Sequence, residues 1–333
     1  MNETNTQNGL FPELELDSHN PSLENVLFPV SLEDVFAQLA NNVTLDTFHK
    51  AVVDIERKRV MTVVTDRYKL ITNAEAIQRG ENIFREVFSQ PTIEAMELYN
   101  VITPSTRTFC HVDYTLKGYT FSFESNDKWL PFLRVTNSYN KTKPLRFDFG
   151  FCRAICRNGM IFNPKQVTIK RYHMGTQSQA HDLAGVDLSV IKKMEVHFLE
   201  KLNNLKRFAV PPNMMLPLTC KALQIQVTEE QVNKPRACDL IKVFGTQVQK
   251  LTNQYFNELG HNGYAALNVL TDMATRPEGI GFSNTAQIHS LQSHCAFWID
   301  DFIISIKQDS FEFPKYISDY QESAARVSKV MSA

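Results

Sequence analysis

The first half of the chain alternates apolar and polar residues with a period of two, which is the pattern of half-buried strands. AVVDI and VMTVVT flank the charged segment ERKR and predict a hairpin. Further strands are predicted in TRTFCHVDYTLKGYTFSFE, joined at Lys117-Gly118, in WLPFLRVTNSY and KPLRFDFGFC, joined at Asn140-Lys141-Thr142, and in QVTIKRYH. Because short connections join these strands, we expect most neighbours to be antiparallel.

Three segments of the first half predict helix instead. SLEDVFAQL begins at Ser31 and has an acid, Asp34, three residues on, which is similar to a capping box and favours a short helix. Residues 74–88 have helical spacing, and residues 91–100 predict another turn of helix.

The second half has a period of three to four, which predicts helices over 187–206, 236–257 and 285–307. The apolar face of the last helix consists of Ile288, Leu291, Cys295, Trp298, Phe302 and Ile306. Faces of this kind usually pack into a protein core. We therefore predict an α+β fold, with an antiparallel sheet built from hairpins and packed helices, followed by a helical subdomain.

The change of period also predicts the domain organisation. Residues 1–22 are polar with few apolar anchors and predict a disordered tail. Residues 23–183 form the predicted strand-rich α+β domain, 184–315 the helical subdomain, and 316–333 a C-terminal tail.

Composition places the chain among ordinary globular proteins, with 43% hydrophobic and 21% charged residues. It contains no uncharged apolar run of about 18 residues, so we expect no contact with a membrane. The N-terminus lacks a basic start followed by an apolar segment, which argues against a secretory signal. Without that signal, six scattered cysteines are expected to be reduced thiols, and the predicted compartment is the cytoplasm.

Charge is segregated along the chain, although the net charge is only -1. Residues 128–174 contain ten basic side chains and one acid, Asp148, a balance of +9. Eight aromatic residues lie in the same block. Cations that follow a phosphate backbone, with aromatic rings to stack on bases, are typical of proteins that bind single-stranded nucleic acid. The alternative is a solvated exterior over an apolar strand face.

Enzyme motifs are few. The sequence has neither a glycine-rich phosphate loop nor a Gly-x-Ser-x-Gly elbow. Asp54, Glu56 and Lys58 resemble the carboxylates and lysine of some metal-dependent nucleases, but the tip of a hairpin is charged by default. His111 and Asp113 share one face of a strand without a nearby nucleophile, which favours a structural role.

Two cysteines, Cys152 and Cys156, raise the question of a metal site. A structural zinc site needs four ligands, commonly in two close pairs. His173 and His181 form no tight pair downstream, and Cys295 lies beside His294 on a predicted helix. We therefore predict buried thiols, with no metal and no cofactor.

Two stretches resemble a known family. VVTDRYKLITNAEA is similar to a signature of phage and plasmid-like proteins of unknown function, which are carried by prophages, plasmids and other mobile elements. LPFLRVTNSYNKTKPLRFDFGFCRAICRNGM is similar to the second signature of that family. The matching positions are Asp66, Tyr68, Asn73, Asn137, Ser138, Arg153, Cys156 and Asn158. The resemblance implies a mobile-element context and carries no established activity.

The leading hypothesis is a non-enzymatic protein that binds or anneals single-stranded DNA. The predicted contact residues are Arg67, Tyr68, Lys69, Arg134, Asn137, Ser138, Tyr139, Lys141, Lys143, Arg146, Arg153, Arg157 and Asn158. The arginines and lysines would bind phosphates, and the two tyrosines would stack on bases. The helical half offers an interface for a homo-oligomer. The alternatives are a module that binds a host or element-encoded protein, as an anti-defence or replication accessory factor, and a metal-dependent nuclease.

Overall fold

A computed structural model of the protein describes residues 14–16, 21–39, 42–87, 96–116, 118–124, 127–155, 158–161, 168–171, 188–277, 279–282 and 288–333. The strands are β1 (Leu14–Leu16), β2 (Val30–Leu39), β3 (Asn42–Asp54), β4 (Arg59–Thr65), β5 (Met96–Pro104), β6 (Phe109–Leu116), β7 (Phe121–Glu124), β8 (Asp127–Ser138), β9 (Leu145–Arg153), β10 (Gly159–Ile161) and β11 (Thr168–Arg171). The helices are α1 (Asn73–Val87), α2 (Leu188–Arg207), α3 (Met215–Ala222), α4 (Glu229–Val232), α5 (Pro235–Leu259), α6 (Gly263–Thr275), α7 (Ile288–Ile306), α8 (Phe313–Tyr316) and α9 (Gln321–Ser332). The predicted α+β class is confirmed.

The chain divides into two compact units whose segments alternate along the sequence. The first unit contains Met1–Gly118, Phe132–Phe149 and Thr168–Leu188, and the second contains Tyr119–Pro131, Gly150–Val167 and Ser189–Ala333. The predicted boundary between 183 and 184 lies outside the described residues. β1 lies within the segment that the sequence assigned to a disordered tail, and α9 lies within the predicted C-terminal tail.

The first unit contains two groups of antiparallel strands. β2, β3 and β4 form a three-stranded sheet in that order. In the other group, β6 pairs with β5 and β8, while β5 pairs with β1 and β9 pairs with β11. Phe28, Val52, Val64, Tyr68 and Tyr139 form a buried apolar cluster.

Two helices predicted in the first unit are strands. SLEDVFAQL is β2, paired with β3 from Val30 opposite Asp54 to Leu39 opposite Asn42. Ser31 Oγ donates to Glu33 Oε1 (2.5 Å) and makes no helix cap. Likewise, residues 96–100 begin β5, which pairs with β6. In both cases a distant partner strand satisfies the backbone groups, and local propensity does not reveal that pairing.

The second unit is mainly helical, and helices α2, α5 and α7 confirm the predicted periodicity. α6 was not predicted, and its residues from Gly263 to Ala274 are all buried, including the polar residues Asn268, Thr271 and Asp272. Asn262 caps it by accepting hydrogen bonds from the backbone N–H groups of Tyr264 and Ala265 (both 3.0 Å). Strand β7 pairs with the beginning of β8, so the strands predicted before and after Lys117-Gly118 both exist, and each pairs with a different part of β8.

Candidate nucleic-acid interface

Arg134 was predicted to contact phosphates on a basic surface, but it is fully buried. Its Nε and Nη2 atoms donate to the two carboxylate oxygens of Asp113 (both 2.6 Å) across the β6–β8 pair. On the same strands His111 Nδ1 lies 2.7 Å from Thr136 Oγ1, so His111 and Asp113 are both held in separate structural contacts. This bidentate pairing accounts for one of the cations that the sequence assigned to phosphate binding.

Asn137 and Tyr139 are also buried, and they join the two segments of the family resemblance. Asn137 Nδ2 donates to Asn73 Oδ1 (2.8 Å) and to the Ile71 carbonyl (3.0 Å). The Tyr139 hydroxyl accepts a hydrogen bond from Asn73 N–H (2.7 Å) at the start of α1. Tyr139 is 0% and Tyr68 6% exposed, so the prediction that these rings stack on bases is wrong.

Ser138, Lys143 and Arg146 hold the connection between β8 and β9. Ser138 Oγ donates to the Lys143 carbonyl (2.6 Å) and accepts from Lys143 N–H (3.1 Å), which closes the turn. Arg146 Nη2 lies 2.7 Å from Asp148 Oδ1, and the Asp148 side chain is fully buried. The side chains of Ser138 and Arg146 therefore make contacts within the protein, and neither is exposed to solvent as a phosphate contact would need to be.

Lys143 is half-buried, with its Nζ 5.0 Å from the centre of the Phe109 ring. Burial, reinforced by the positive charges of Arg146 and Arg134, lowers the pKa of Lys143 to about 8 from 10.5. The three cations are thus close enough to affect one another, and the charged form of Lys143 is disfavoured in the folded protein.

Replacing Lys143 with methionine is expected to stabilise the protein in a pH-dependent way. Between the folded pKa of about 8 and the unfolded value of 10.5, the unfolded chain binds more protons, so wild-type stability rises with pH. The variant lacks this titration. Its thermal midpoint should exceed that of the wild type most near neutral pH, and the difference should shrink as pH rises through this window. A difference that stays constant with pH would contradict the prediction.

In the second unit Arg153 ends β9, and its side chain is buried and paired rather than exposed to phosphates as predicted. Nε donates to Asp127 Oδ1 (2.8 Å) and Nη2 to Glu258 Oε1 (3.0 Å). Asp127 also accepts a hydrogen bond from the Tyr264 hydroxyl, which in turn accepts from Trp129 Nε1 (3.2 Å).

Asn158 lies five residues beyond Arg153 and is fully buried. Its carbonyl accepts a hydrogen bond from Arg153 N–H (3.0 Å). Its side-chain amide donates to the Tyr255 hydroxyl (2.9 Å) and to Asp272 Oδ2 (3.2 Å). Gly159 then pairs with Cys152, so β9 and β10 are antiparallel neighbours. Cys156 and Arg157, which the sequence analysis selected as a thiol and a phosphate contact, lie outside the described residues.

Three predicted contact residues are exposed: Arg67, Lys69 and Lys141. All three are associated with β4, the last strand of the three-stranded sheet. Arg67 and Lys69 follow its C-terminal end, and Lys141 Nζ donates to the carbonyl of Val63 within it (3.0 Å). No strand pairs with the outer edge of β4 in the described ranges.

The N-terminal end of β4 carries three more exposed cations that the sequence analysis treated as a charged hairpin tip. We refer to the six residues together as the β4 basic surface: Arg57, Lys58, Arg59, Arg67, Lys69 and Lys141. Residues 56–69, which contain five of these cations, include two acids, Glu56 and Asp66. With Lys141 the surface has six cations, and six cations less two acids leave a charge of +4. Glu56 is itself paired with Arg107 (2.7 Å).

An exposed aromatic ring lies beside this surface. Phe48 is 73% exposed, and its carbonyl accepts a hydrogen bond from Asp66 N–H (2.9 Å), immediately before Arg67. The sequence analysis did not select Phe48, although an isolated aromatic residue between Thr47 and the polar pair His49-Lys50 could have indicated it. Phe48 has the exposure for base stacking that both predicted tyrosines lack.

The carboxylates of the nuclease hypothesis make other contacts. Asp54 is buried, and its Oδ1 accepts a hydrogen bond from Arg57 N–H (3.0 Å) in the β3–β4 turn. Among the described residues, no group of three or more His, Cys, Asp or Glu side chains could hold a metal ion. Cys152 is buried, with Sγ 3.7 Å from the Leu130 carbonyl.

No helix in the described ranges is both long and apolar enough to cross a membrane.

The chain belongs to the DUF932 family, a domain of unknown function, which it matches over residues 60–293. No curated protein and no solved structure matches it. The matched range begins in β4 and includes Asn73, Asn137, Arg153 and Asn158. The predicted membership in a family of unknown function is thereby confirmed.

Proposed function

We propose that the protein binds single-stranded DNA without catalysis, through the β4 basic surface and Phe48. The observation that carries this proposal is the placement of six exposed cations at both ends and along the edge of one strand. A seven-residue strand is about 23 Å long, enough for several successive phosphates. The resemblance to phage and plasmid-like proteins supports a role on a mobile element, such as strand annealing in the cytoplasm.

The electrostatic part of this proposal predicts a change in salt dependence. We expect labelled oligothymidylate to bind at low salt and to dissociate as salt rises. The triple variant Arg67→Gln/Lys69→Gln/Lys141→Gln should bind more weakly, with a slope of log K against log salt that is shallower by about 2, because each lost phosphate contact removes about 0.7. Fluorescence anisotropy over a salt series measures both quantities.

A matched triple variant controls for the loss of three charges. Lys307→Gln/Lys315→Gln/Lys329→Gln removes three exposed lysines in the second unit and should retain the wild-type slope. Phe48→Ala tests stacking separately: it should weaken binding by about 1 to 3 kcal/mol per stacked base with an unchanged slope. If both triple variants bind as the wild type does, the β4 basic surface is not the binding site.

A second candidate function is protein binding, which exposed apolar residues on the β2–β3 hairpin favour. Phe36 lies opposite Leu45, and they are 60% and 46% exposed, with Val43 66% exposed nearby. A stoichiometric partner that co-purifies after nuclease treatment, and is lost in Phe36→Ser, would support this candidate.

Plasmid cleavage in magnesium or manganese that Glu56→Ala abolishes would instead support the nuclease hypothesis.

A further inference from the structure

A pocket of about 560 Å³ lies in the second unit beside α5 and the end of α6. Its lining residues are Lys242, Val243, Thr246, Gln247, Lys250, Leu251, Gln254, Asp272 and Arg276. The volume falls within the range of about 300 to 1,000 Å³ that is usual for small-molecule sites. None of these residues belongs to the β4 basic surface, so the pocket is independent of the proposed DNA site.

The lining of this pocket is positively charged. Lys242 and Lys250 are eight residues apart on α5, about 12 Å along the axis, and Thr246 lies midway between them. Arg276 adds a third cation, and Asp272 is the one acid of the lining, so three cations less one acid leave +2. Such a lining favours a ligand with more than one negative charge.

The guanidinium of Arg276 is held in place by buried groups. Nη2 lies 2.7 Å from Asp272 Oδ2 and 2.7 Å from Asn158 Oδ1, and Nε lies 3.1 Å from Asp272 Oδ1. Asp272 is in turn fixed by the Tyr255 hydroxyl (2.7 Å). A cation fixed in this way loses little side-chain entropy when an anion binds.

The side-chain amides of Gln247 and Gln254 lie in the lining, and such groups can hydrogen-bond a heterocyclic ring. Gln247 Nε2 donates to the Arg276 carbonyl (3.3 Å), whereas Gln247 Oε1 is buried and has no hydrogen-bond partner in the described part of the chain. An unsatisfied buried acceptor is costly, and an amino group of a ligand would satisfy it. Gln254 supplies a second amide at the pocket.

We propose that this pocket binds a nucleoside polyphosphate, with its phosphates on Lys242, Lys250 and Arg276 and its base near Gln247. Both parts of the ligand are needed: the cations select the phosphates, and the unsatisfied amide oxygen selects a ring that carries an amino group. The family signature residue Asn158 then acts as a positioning residue, because it holds the Arg276 guanidinium beside the pocket.

Titration calorimetry of the full chain with ATP in the absence of magnesium tests this proposal. We expect one ATP per chain, weaker binding of inorganic triphosphate, and no binding of adenosine alone. Lys242→Gln and Lys250→Gln should each weaken ATP binding at least about tenfold. Arg236→Gln, which removes an exposed cation of α5 outside the pocket, should bind as the wild type does.

Absence of ATP binding, equal binding of ATP and inorganic triphosphate, or an equal effect of Arg236→Gln would overturn the proposal. Circular dichroism of each variant verifies that it is folded. The triple variant of the β4 basic surface should retain ATP binding, so failure of the DNA proposal and failure of this one are distinguishable.

Discussion

Arg153→Met is expected to lower the free energy of unfolding by about 3 to 5 kcal/mol, because it leaves the Asp127 carboxylate buried without its charged partner. The Arg153 side chain is 3% and the Asp127 side chain 8% exposed, so water cannot replace the lost contact. Glu258, which is 43% exposed, can return to solvent and adds little to the loss. Denaturant titration followed by fluorescence measures the effect.

A second variant separates the unpaired charge from the lost packing. In Arg153→Met/Asp127→Asn the buried group is neutral, so the double variant should be more stable than Arg153→Met alone by at least about 1 kcal/mol. Lys128→Met, at an exposed neighbour of Asp127, should change stability by less than about 0.5 kcal/mol. If Arg153→Met costs no more than Lys128→Met, the pair does not stabilise the folded protein.

Gly279→Ala is expected to destabilise the second unit by about 3 to 5 kcal/mol through two effects that add. Gly279 has a φ of 74°, which an L side chain rarely adopts. An added Cβ would also lie 2.6 Å from Phe244 N and 2.9 Å from the Leu240 carbonyl oxygen. Because both atoms belong to the backbone of α5, the helix cannot yield by a side-chain rotation. Chemical denaturation again provides the measurement.

Gly118→Ala is the matched control for Gly279→Ala. Gly118 has a similar φ of 71°, but a Cβ there would meet no heavy atom within 4 Å. It should therefore show the backbone strain alone, about 1 to 2 kcal/mol. Equal losses in the two variants would mean that the close approach to α5 contributes nothing.

The family signature residues now have a physical role in the fold. Asn73 and Asn137 are far apart in sequence, yet their side chains are hydrogen-bonded at 2.8 Å in the first unit. In the second unit, Arg153 at the end of β9 binds Asp127, and Asn158 immediately before β10 binds Asp272. The sequence identified these positions, but it assigned Asn137, Arg153 and Asn158 to the binding surface because their partners are distant along the chain.

The spacing of apolar residues along the chain predicted most of the strands and helices. Alternation placed β3, β4, β8, β9 and β11, and helical spacing placed α1, α2, α5 and α7. It failed at β2, where a helix-like beginning at Ser31 is overridden by pairing with β3. It also failed at α6, where polar residues such as Asn268 and Asp272 are buried together with the apolar ones, so burial does not follow the amphipathic pattern of a surface helix.

The sequence by itself determined the α+β class and the unequal distribution of charge along the chain. Only the tertiary structure decided which cations are accessible. Arg134 and Arg153 are neutralised by Asp113 and Asp127, which lie outside residues 128–174 and do not enter the charge count of that block. Burying an arginine requires a paired acid, and the fold can supply that acid from any segment. Among the predicted contact residues that the structure describes, the exposed cations are Arg67, Lys69 and Lys141, which lie beside β4.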